Sequence, residues 1–400
     1  MMKIFLNALG ASCASGVTYL RNVIPQLSTR PGLHTIVAVN PQLRPELENP
    51  RSVSFLEMNI PSSPARRFCF EQTVLPKLIW QSGADVLVST GNIALRWPPV
   101  PQILLSGNSL YTSPDFSRDL RQRKDCRLWL DNRIKGFCAR KSIELADATV
   151  APSQTFAQEL QRLTGKRILC IYHGFDRKVF FGDSTPLPAD VREKLDSAQG
   201  GLRLLFVSHY NYYRNFETLL RAVPILRKHL AGRNVRLFLT CKLSTAENPG
   251  AYRAESAAAL VKQLGIEDEV VELGAIPYSQ LHHVYRACDI YVSPAYAETF
   301  AHPLVEAMAS GLPVVASDLQ VHREVCGGAA LYFRRFSPDE LSSQVVHIAT
   351  STGLRQELQE RGVARSHDFS WADHVDELLR LAAQLAQDHA PYFTEARLTA

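Results

Sequence analysis

Short apolar runs alternate with helical segments along the whole chain, and this alternation constrains the fold more than any other feature. The runs in the first half are 3–6, 35–39, 85–88, 103–105, 148–151 and 168–171. The runs in the second half are 203–207, 235–240, 270–272, 289–292 and 313–316. Strands that alternate with helices form parallel sheets, which bind ligands at the carboxyl ends of their strands. The sequence therefore predicts an α/β protein built from two Rossmann-like halves, with ligands in a cleft between them.

The length and one composition shift divide the chain. Its 400 residues suit two domains, and a hydrophobic fraction of 46% can supply two cores. Residues 181–201 are rich in Gly, Pro and Asp, which is typical of a linker. We therefore predict a first domain at 1–180, a linker at 181–201 and a second domain at 202–370.

Two glutamates mark the most informative stretch, 293–316. Glu298 and Glu306 are separated by seven residues, and apolar runs stand before and after the stretch, which predicts strand, loop, short helix and strand. Pro303 suits the first turn of that helix, where its missing N–H is not needed. The backbone amides of 300–304 would then form a phosphate site. Two carboxylates beside an anion site fit a ligand with phosphates and hydroxyls, such as a nucleotide sugar.

This stretch resembles the retaining nucleotide-sugar glycosyltransferases of family 4, which have the GT-B fold. The family shares the two glutamates and the Ala-Met-Ala-x-Gly-x-Pro-Val run, found here at 307–314. Further motifs of the family occur in the same order at 2–7 with 15–17, 146–153, 173–176 with Phe180, and 369–371. The resemblance implies a GT-B fold, in which two Rossmann-like domains face each other across a cleft. It also implies that a final helix from about residue 371 packs back on the first domain.

The resemblance implies a role for each residue of the 293–316 stretch. Glu306 would accept hydrogen bonds from the ribose hydroxyls, and Glu298 would hold the hydroxyls of the donor sugar. A nucleophilic role for Glu298 is the less favoured alternative, because the departing phosphate is thought to help deprotonate the acceptor. Ala301 stands where many relatives have glycine. The other predicted donor-binding residues of the stretch, some through their backbone amides, are Thr299, Phe300, Ala301, His302 and Leu304.

A second candidate segment, 208–220, follows the apolar run at 202–207. Relatives place an Arg early in this loop and a Lys five residues later, where this chain has His209 and Arg214. Arg214 supplies a charged fork that grips phosphate oxygens, whereas a neutral imidazole supplies one donor and no charge at pH 7. Three interpretations stay open: Arg214 and the helix amides bind the diphosphate alone, His209 is protonated when donor is bound, or His209 is only a polar loop residue.

Two further donor contacts are predicted outside these segments. Ile276 follows the strand end at 272–274 and would border the nucleotide base, the alternative being a simple strand-end turn. Gly16 lies in the loop that the family places near the donor phosphate, where the lack of a side chain permits close backbone approach. The alternative for Gly16 is an ordinary turn glycine.

Basic residues concentrate between 118 and 141, although the net charge of the whole chain is only +5. Apolar residues recur within this segment at helical spacing, namely Leu130, Ile134, Phe137 and Cys138. A basic amphipathic helix of this kind could contact an anionic membrane surface or face an acceptor diphosphate. The alternative is the solvated face of a core helix. No recognition motif accompanies the charge, so we do not expect nucleic acid as a partner.

Several absences shape the functional hypothesis. The chain has no Asp-x-Asp pair and no spaced His/Cys cluster, which predicts metal independence and no cofactor besides the donor substrate. None of its eight cysteines forms a Cys-x-x-Cys pair, and no apolar stretch reaches the ~20 residues of a membrane span. The N-terminus shows no secretory signal. We therefore expect a cytoplasmic protein that is either free or peripheral at the inner face of the membrane.

The sequence thus predicts a retaining, metal-independent glycosyltransferase of the kind used in polysaccharide biosynthesis. It would move a hexose or related sugar from a UDP- or GDP-sugar to a hydroxyl of a glycan, a lipid-linked glycan or a small molecule. Glu298 and Arg214 are its predicted catalytic residues. Two alternatives remain, namely a nucleotide-sugar epimerase or hydrolase of the same fold, and a non-catalytic partner subunit. The base, the acceptor and the linkage are left open.

Overall fold

A computed structural model describes residues 2–11, 14–60, 63–198, 200–248 and 252–398, without the side chains of 14–15 and 390–398. The chain forms two compact units. The first unit contains the described residues up to 112, those of 130–174 and those from 370 onward. The second unit contains 113–129 and 175–369.

The first unit is built on a seven-stranded parallel sheet with the order β3-β2-β1-β4-β5-β6-β7. Its strands are β1 Met2–Asn7, β2 Leu33–Val39, β3 Val53–Glu57, β4 Val86–Ser89, β5 Gln102–Leu105, β6 Ala148–Ala151 and β7 Leu169–Cys170. The order reverses direction between β1 and β4, where Ile4 lies opposite Val86. This reversal is the switch point at which open α/β sheets bind ligands.

The second unit is built on a six-stranded parallel sheet with the order β10-β9-β8-β11-β12-β13. Its strands are β8 Leu202–Phe206, β9 Val235–Leu239, β10 Val270–Glu272, β11 Ile290–Ser293, β12 Val314–Ser317 and β13 Ala330–Phe333. The switch point lies between β8 and β11, where Leu204 pairs with Ile290. The prediction of an α/β fold with two Rossmann-like parallel sheets is confirmed.

Helices connect the strands of both sheets. They are α1 Ala14–Ser28, α2 Pro64–Thr73, α3 Leu75–Ser82, α4 Pro114–Gln122, α5 Cys126–Leu145, α6 Gln154–Thr164, α7 Arg177–Phe181, α8 Ala189–Asp196, α9 Phe216–His229, α10 Glu255–Leu264, α11 Leu281–Ala287, α12 His302–Ala309, α13 Gln320–Cys326, α14 Pro338–Thr350, α15 Thr352–Ser366 and α16 Trp371–Leu398. Within the described residues, no helix combines the length and the apolar character that crossing a membrane requires.

The central strands form the cores of both units. Every residue of β4, β11 and β12 is buried, as expected for parallel strands that are covered on both faces. The apolar runs of the sequence are therefore the sheet interiors, which is why they locate these strands to within a residue or two.

Two strands were not predicted, and both lie at sheet edges. β3 and β13 are each paired on one side only, and each contains partly exposed residues. An edge strand does not need a continuous apolar run, because one side of it is not enclosed by the sheet. The hydrophobic pattern is correspondingly weaker at β3, which contains Ser54 and Glu57, whereas β13 is apolar throughout.

The predicted linker at 181–201 includes α8, which belongs to the second unit. Val191 and Leu195 of this helix are buried in the core cluster that also contains Phe180 and Leu205. The Gly, Pro and Asp residues of this stretch therefore mark the ends of a packed helix.

At the other end of the chain, α16 belongs to the first unit, where Trp371 and Val375 are buried in its core.

The basic segment at 118–141 is divided between two helices. α4 ends at Gln122, α5 begins at Cys126, and Lys124 between them has a φ of 54°. Residues 113–129 belong to the second unit, although they lie within the sequence range predicted for the first domain. The segment is thus not one helix, because the left-handed backbone at Lys124 interrupts it.

Candidate active site

Two loops of the second unit meet at its switch point. One loop follows β8 and leads into α9, and the other follows β11 and leads into α12. Because β8 and β11 are neighbouring parallel strands, both loops leave the same edge of the sheet. The two segments that the sequence singled out are therefore brought together.

Three contacts join these loops. The Asn215 side-chain amide donates to the Pro294 carbonyl at 3.0 Å. The Tyr296 backbone amide donates to the Tyr213 carbonyl at 2.9 Å. Arg214 Nη1 donates to Glu298 Oε2 in an ion pair. The loops thus hold each other in register, and the predicted catalytic residues Arg214 and Glu298 are direct partners.

The Arg214–Glu298 pair is mostly enclosed, with 19% of the arginine side chain and 12% of the glutamate side chain exposed. Burial acts to lower the pKa of Arg214, but the charge of Glu298 and the neighbouring tyrosines outweigh burial, so the pKa is raised. Arg214 therefore stays cationic at every working pH. Its Nε has no hydrogen-bond partner among the described residues. The guanidinium thus keeps donor capacity for an anionic ligand while Glu298 orients it.

His209 is half-buried in the loop after β8. Burial lowers the pKa of its imidazole, and the nearby charge of Arg214 lowers it further. The side chain is therefore neutral at pH 7, where it can offer one hydrogen-bond donor. A bound phosphate would oppose both effects, because a negative charge favours the imidazolium.

α12 begins with Ala301 as its N-cap residue and carries Pro303 in its first turn, as the sequence indicated. Ala301 has a φ of 67°, a left-handed conformation that glycine adopts more readily. The residue therefore occupies a glycine-type position. The prediction for the Leu304 amide is wrong, because this N–H donates to the Ala301 carbonyl at 3.0 Å and the Leu304 side chain is fully buried.

Glu306 lies one turn inside α12 and is only 4% exposed. Its Oε2 accepts a hydrogen bond from the Tyr285 hydroxyl at 2.9 Å. Burial raises the pKa of the carboxyl from 4.5 to about 7, although the Tyr285 hydrogen bond partly offsets this effect. Near neutral pH this group is therefore close to its midpoint, and a ligand that donates hydrogen bonds would favour the carboxylate.

The remaining predicted donor residues of the second unit lie around these loops. Thr299 and Ile276 are half-buried, and Ile276 packs against the core of the unit. The Phe300 side chain is buried, with the rings of His302 and Phe369 at 4.9 and 5.2 Å. The side chain of Phe300 is thus a core element.

Gly16 belongs to the first unit and lies in the first turn of α1, not in a loop. A Cβ at this position would lie 3.0 Å from both Cα and Cβ of Ala11. The turn alternative is therefore wrong for Gly16, and the close helix–loop packing at Ala11 is by itself a sufficient reason for glycine.

Sequence reasoning missed the side chains that support the loops. Tyr296 donates to Asp119 of α4 at 2.6 Å, and Arg123 contacts both Asp119 and Glu217 at 2.8 Å. Tyr285 of α11 is fully buried. The Tyr296–Asp119 and Arg123–Glu217 contacts join residues far apart in the chain, and no local spacing points to them.

The switch point of the first unit carries a separate polar cluster. The Asn7 side-chain amide lies 3.5 Å from Glu71 Oε1, and Arg67 Nε lies 4.0 Å from the same oxygen. Burial raises the pKa of Glu71, while Arg67 and Asn7 lower it. Gly10 approaches Gly91 so closely that a Cβ on Gly10 would lie 3.3 Å from the Gly91 Cα.

The described part of the chain contains no group of three His, Cys, Asp or Glu side chains that could hold a metal ion.

Comparison with known proteins agrees with this architecture. Residues 189–365 match the family described as Glycosyl transferases group 1. A D-inositol 3-phosphate glycosyltransferase of Nocardia farcinica (strain IFM 10152) is 30% identical over 248 residues, which are 60% of this chain and 53% of the relative. The residues that match the family model lie within the second unit.

Solved structures show the same fold for nearly the whole chain. Sucrose-phosphate synthase from Thermosynechococcus elongatus superposes with a TM-score of 0.73 at 17% identity, covering 96% of this chain and 99% of that chain. Anabaena Alr3699/HepE in complex with UDP-glucose superposes with a TM-score of 0.71 at 18% identity, covering 96% and 100%. The fold is GT-B. The chain spans about half the length of the curated relative from Nocardia, with 53% covered.

Proposed function

We propose that this protein is a retaining, metal-independent glycosyltransferase that moves a sugar from a nucleoside diphosphate sugar to a hydroxyl acceptor. The observation that carries the proposal is the arrangement at the second switch point. A permanently charged Arg214, its partner Glu298 and the buried acceptor Glu306 come together on the edge of the sheet where α/β proteins bind ligands.

Arg214 has the properties that a departing diphosphate needs. It is cationic, partly exposed and held in place by Glu298, so it can stabilise negative charge on the leaving group without a metal ion. Glu298 pairs with Arg214 and would therefore lie next to the charged leaving group. This position suits a residue that binds the hydroxyls of the transferred sugar. The backbone amides of Thr299, Phe300 and Ala301 would complete the anion site at the start of α12.

Glu306 suits a ribose. Its Oε2 already accepts from Tyr285, and the carboxylate retains further acceptor capacity for a vicinal diol. His209 would donate to the diphosphate and would gain a proton as the ligand's charge arrives. His302 and Ile276 complete the proposed donor contacts. The solved complex of Anabaena Alr3699/HepE with UDP-glucose, which shares this fold, supports a nucleotide sugar as the donor.

We assign the acceptor to the first unit, at the polar cluster around Asn7, Arg67 and Glu71. The buried Glu71 carboxylate and the partly exposed Arg67 guanidinium lie at the other switch point, and they can accept from and donate to sugar or cyclitol hydroxyls. The backbones of Gly10 and Gly91 approach each other closely. No observation favours the epimerase, hydrolase or non-catalytic alternatives.

A panel of nucleotide sugars tests the proposal. The melting temperature of the purified protein should rise with one or a few donors, headed by UDP-glucose, because selective binding stabilises the folded state. The Glu306→Ala variant should lose this rise, whereas the exposed-site variant Glu193→Ala in α8 should keep it. Product analysis by NMR should show the anomeric configuration of the donor retained. The proposal fails if no nucleotide sugar shifts the melting temperature of the wild type.

A further inference from the structure

The part of α5 that belongs to the first unit exposes an apolar stripe. Leu130, Ile134 and Phe137 are 54%, 56% and 55% exposed, and they lie on one face because their spacing is helical. The opposite face of the same helix carries the buried residues Gly136, Ala139, Ser142 and Ile143. The stripe is thus not the side of α5 that packs into the fold. A run of large exposed apolar side chains on one helix face is typical of an interaction surface.

Basic side chains flank this stripe. Arg133, Arg140 and Lys141 are exposed on the same side of α5, and Lys141 is paired with Glu144 at 2.7 Å. The surface continues onto α6, where Leu163 is 47% exposed. An open cavity of about 250 Å³ lies between the two helices and is lined by Phe137, Arg140, Lys141, Glu144, Leu163 and Thr164. We call this surface, from Leu130 to Lys141 with Leu163, the α5 face.

We propose that the α5 face docks the protein on an anionic lipid bilayer. Large apolar side chains that project between cations match the boundary between acyl chains and negatively charged headgroups. Long arginine and lysine stems can lie along the apolar region and place their charges among the phosphates. This inference stands independently of glycosyl transfer, since it uses none of the residues assigned to donor or acceptor.

Charge distinguishes the bilayer from a second copy of the chain. In a symmetric dimer each α5 face would meet its own image, so Arg133, Arg140 and Lys141 of one copy would oppose the same cations of the other. Like charges brought together in an interface are unfavourable. An anionic bilayer presents the opposite charge to the same side chains.

The proposal is tested by sedimentation of the full chain with two kinds of vesicle. One kind contains phosphatidylcholine alone, and the other contains phosphatidylcholine with about one third phosphatidylglycerol, an amount that makes the surface strongly anionic. We expect the wild type to bind the anionic vesicles at least about tenfold more tightly than the neutral ones, and to dissociate as salt is added. Equal binding to both vesicles, or binding to neither, overturns the proposal.

Two double variants separate the apolar and the charged contributions. I134S/F137S should weaken binding to anionic vesicles about tenfold or more, and R140Q/K141Q should weaken it while leaving the residual binding less salt-dependent. The matched control K228Q/K262Q removes two exposed lysines of the second unit and should bind like the wild type. If I134S/F137S sediments poorly because it misfolds, R140Q/K141Q still decides.

The oligomeric state of the protein tests the alternative that the α5 face binds a second copy of the chain. Sedimentation velocity should give the same species for the wild type and for I134S/F137S. A wild-type dimer that I134S/F137S converts to a monomer would assign the α5 face to a second copy and would overturn the bilayer proposal. Unchanged vesicle binding by both double variants would also overturn it.

Discussion

Replacing Glu306 with glutamine should stabilise the protein above neutral pH. In the unfolded chain this carboxyl titrates at its ordinary value of 4.5, whereas burial raises its pKa to about 7 in the folded protein. The folded state therefore holds the proton more tightly. The stabilisation that this gives is fully present below pH 4.5 and is lost as the pH rises through about 7.

The size of the effect follows from the same two values. One pKa unit corresponds to about 1.4 kcal/mol, so the rise from 4.5 to about 7 corresponds to about 3 kcal/mol. Glutamine is close to glutamate in shape, cannot ionise and can still accept from the Tyr285 hydroxyl through its carbonyl oxygen. Glu306→Gln should therefore lie within about 1 kcal/mol of the wild type at pH 5 and exceed its free energy of unfolding by about 3 kcal/mol at pH 8.

Urea unfolding followed by circular dichroism between pH 5 and pH 8 measures this difference. Because the chain has two units, the comparison uses the transition of the second unit, which the nucleotide-sugar ligand should shift. Glu193→Gln in α8 serves as the control, because that carboxylate is exposed and its removal should not alter the pH profile. Parallel profiles for Glu306→Gln and the wild type would refute the reasoning. Higher stability without donor binding is the expected trade-off at a functional site.

Three further expectations concern the same site. Arg214→Ala should weaken nucleotide-sugar binding by about 100-fold in calorimetry, and Arg214→Lys, which keeps the charge but not the forked guanidinium, should have an intermediate affinity. Equal affinities of the wild type and Arg214→Ala would remove Arg214 from the site. His209→Arg should tighten donor binding at pH 8 and reduce the increase in donor affinity that the wild type shows as the pH falls. The reason is that burial and Arg214 keep the pKa of His209 below its ordinary value until a phosphate binds. An unchanged pH profile of donor affinity would make His209 a polar loop residue. Ala301→Gly should change the free energy of unfolding by less than about 1 kcal/mol, because relief of the left-handed backbone offsets the lost methyl group. Ala307→Gly inside α12 should lower the free energy of unfolding by about 1 kcal/mol or more. Equal losses of stability for the two variants in urea unfolding would contradict this account.

The central sheets could be predicted because their strands are buried on both faces. The runs at 289–292 and 313–316 lie within one residue of β11 and β12, since a fully enclosed parallel strand is mostly apolar. The edge strand β3 escaped prediction because its partial exposure permits the polar residues Ser54 and Glu57, whereas the apolar composition of β13 does not explain why it escaped. The break at Lys124 also escaped, because nothing in a run of basic residues signals a left-handed backbone.

The loops of the candidate site could be located but their internal contacts could not. Spacing relative to β8 and β11 placed Arg214 and Glu298 at one sheet edge, yet only the structure shows that they pair. Tyr285 is 21 positions from Glu306, and the distance between them is set by the packing of α11 against α12. The left-handed backbone conformation of Ala301 likewise depends on how the loop enters α12. An alanine at this position does not indicate that conformation, because alanine rarely adopts it.

The candidate site stabilises its two carboxylates differently. Glu298 is kept beside a permanent cation, so its charge is compensated before any ligand arrives. Within the residues that the structure describes, the Glu306 carboxyl has the Tyr285 hydroxyl as its one hydrogen-bond partner, which is not enough to keep its pKa near 4.5. A ribose diol that donates to Glu306 would supply the missing stabilisation, so donor binding and loss of this proton are thermodynamically linked. Part of the binding free energy of such a donor would therefore go into charging a buried group. A ligand without hydrogen-bond donors at the ribose position would not recover that cost, so the buried Glu306 carboxylate, which destabilises the protein at pH 8, would favour nucleotides that carry the diol.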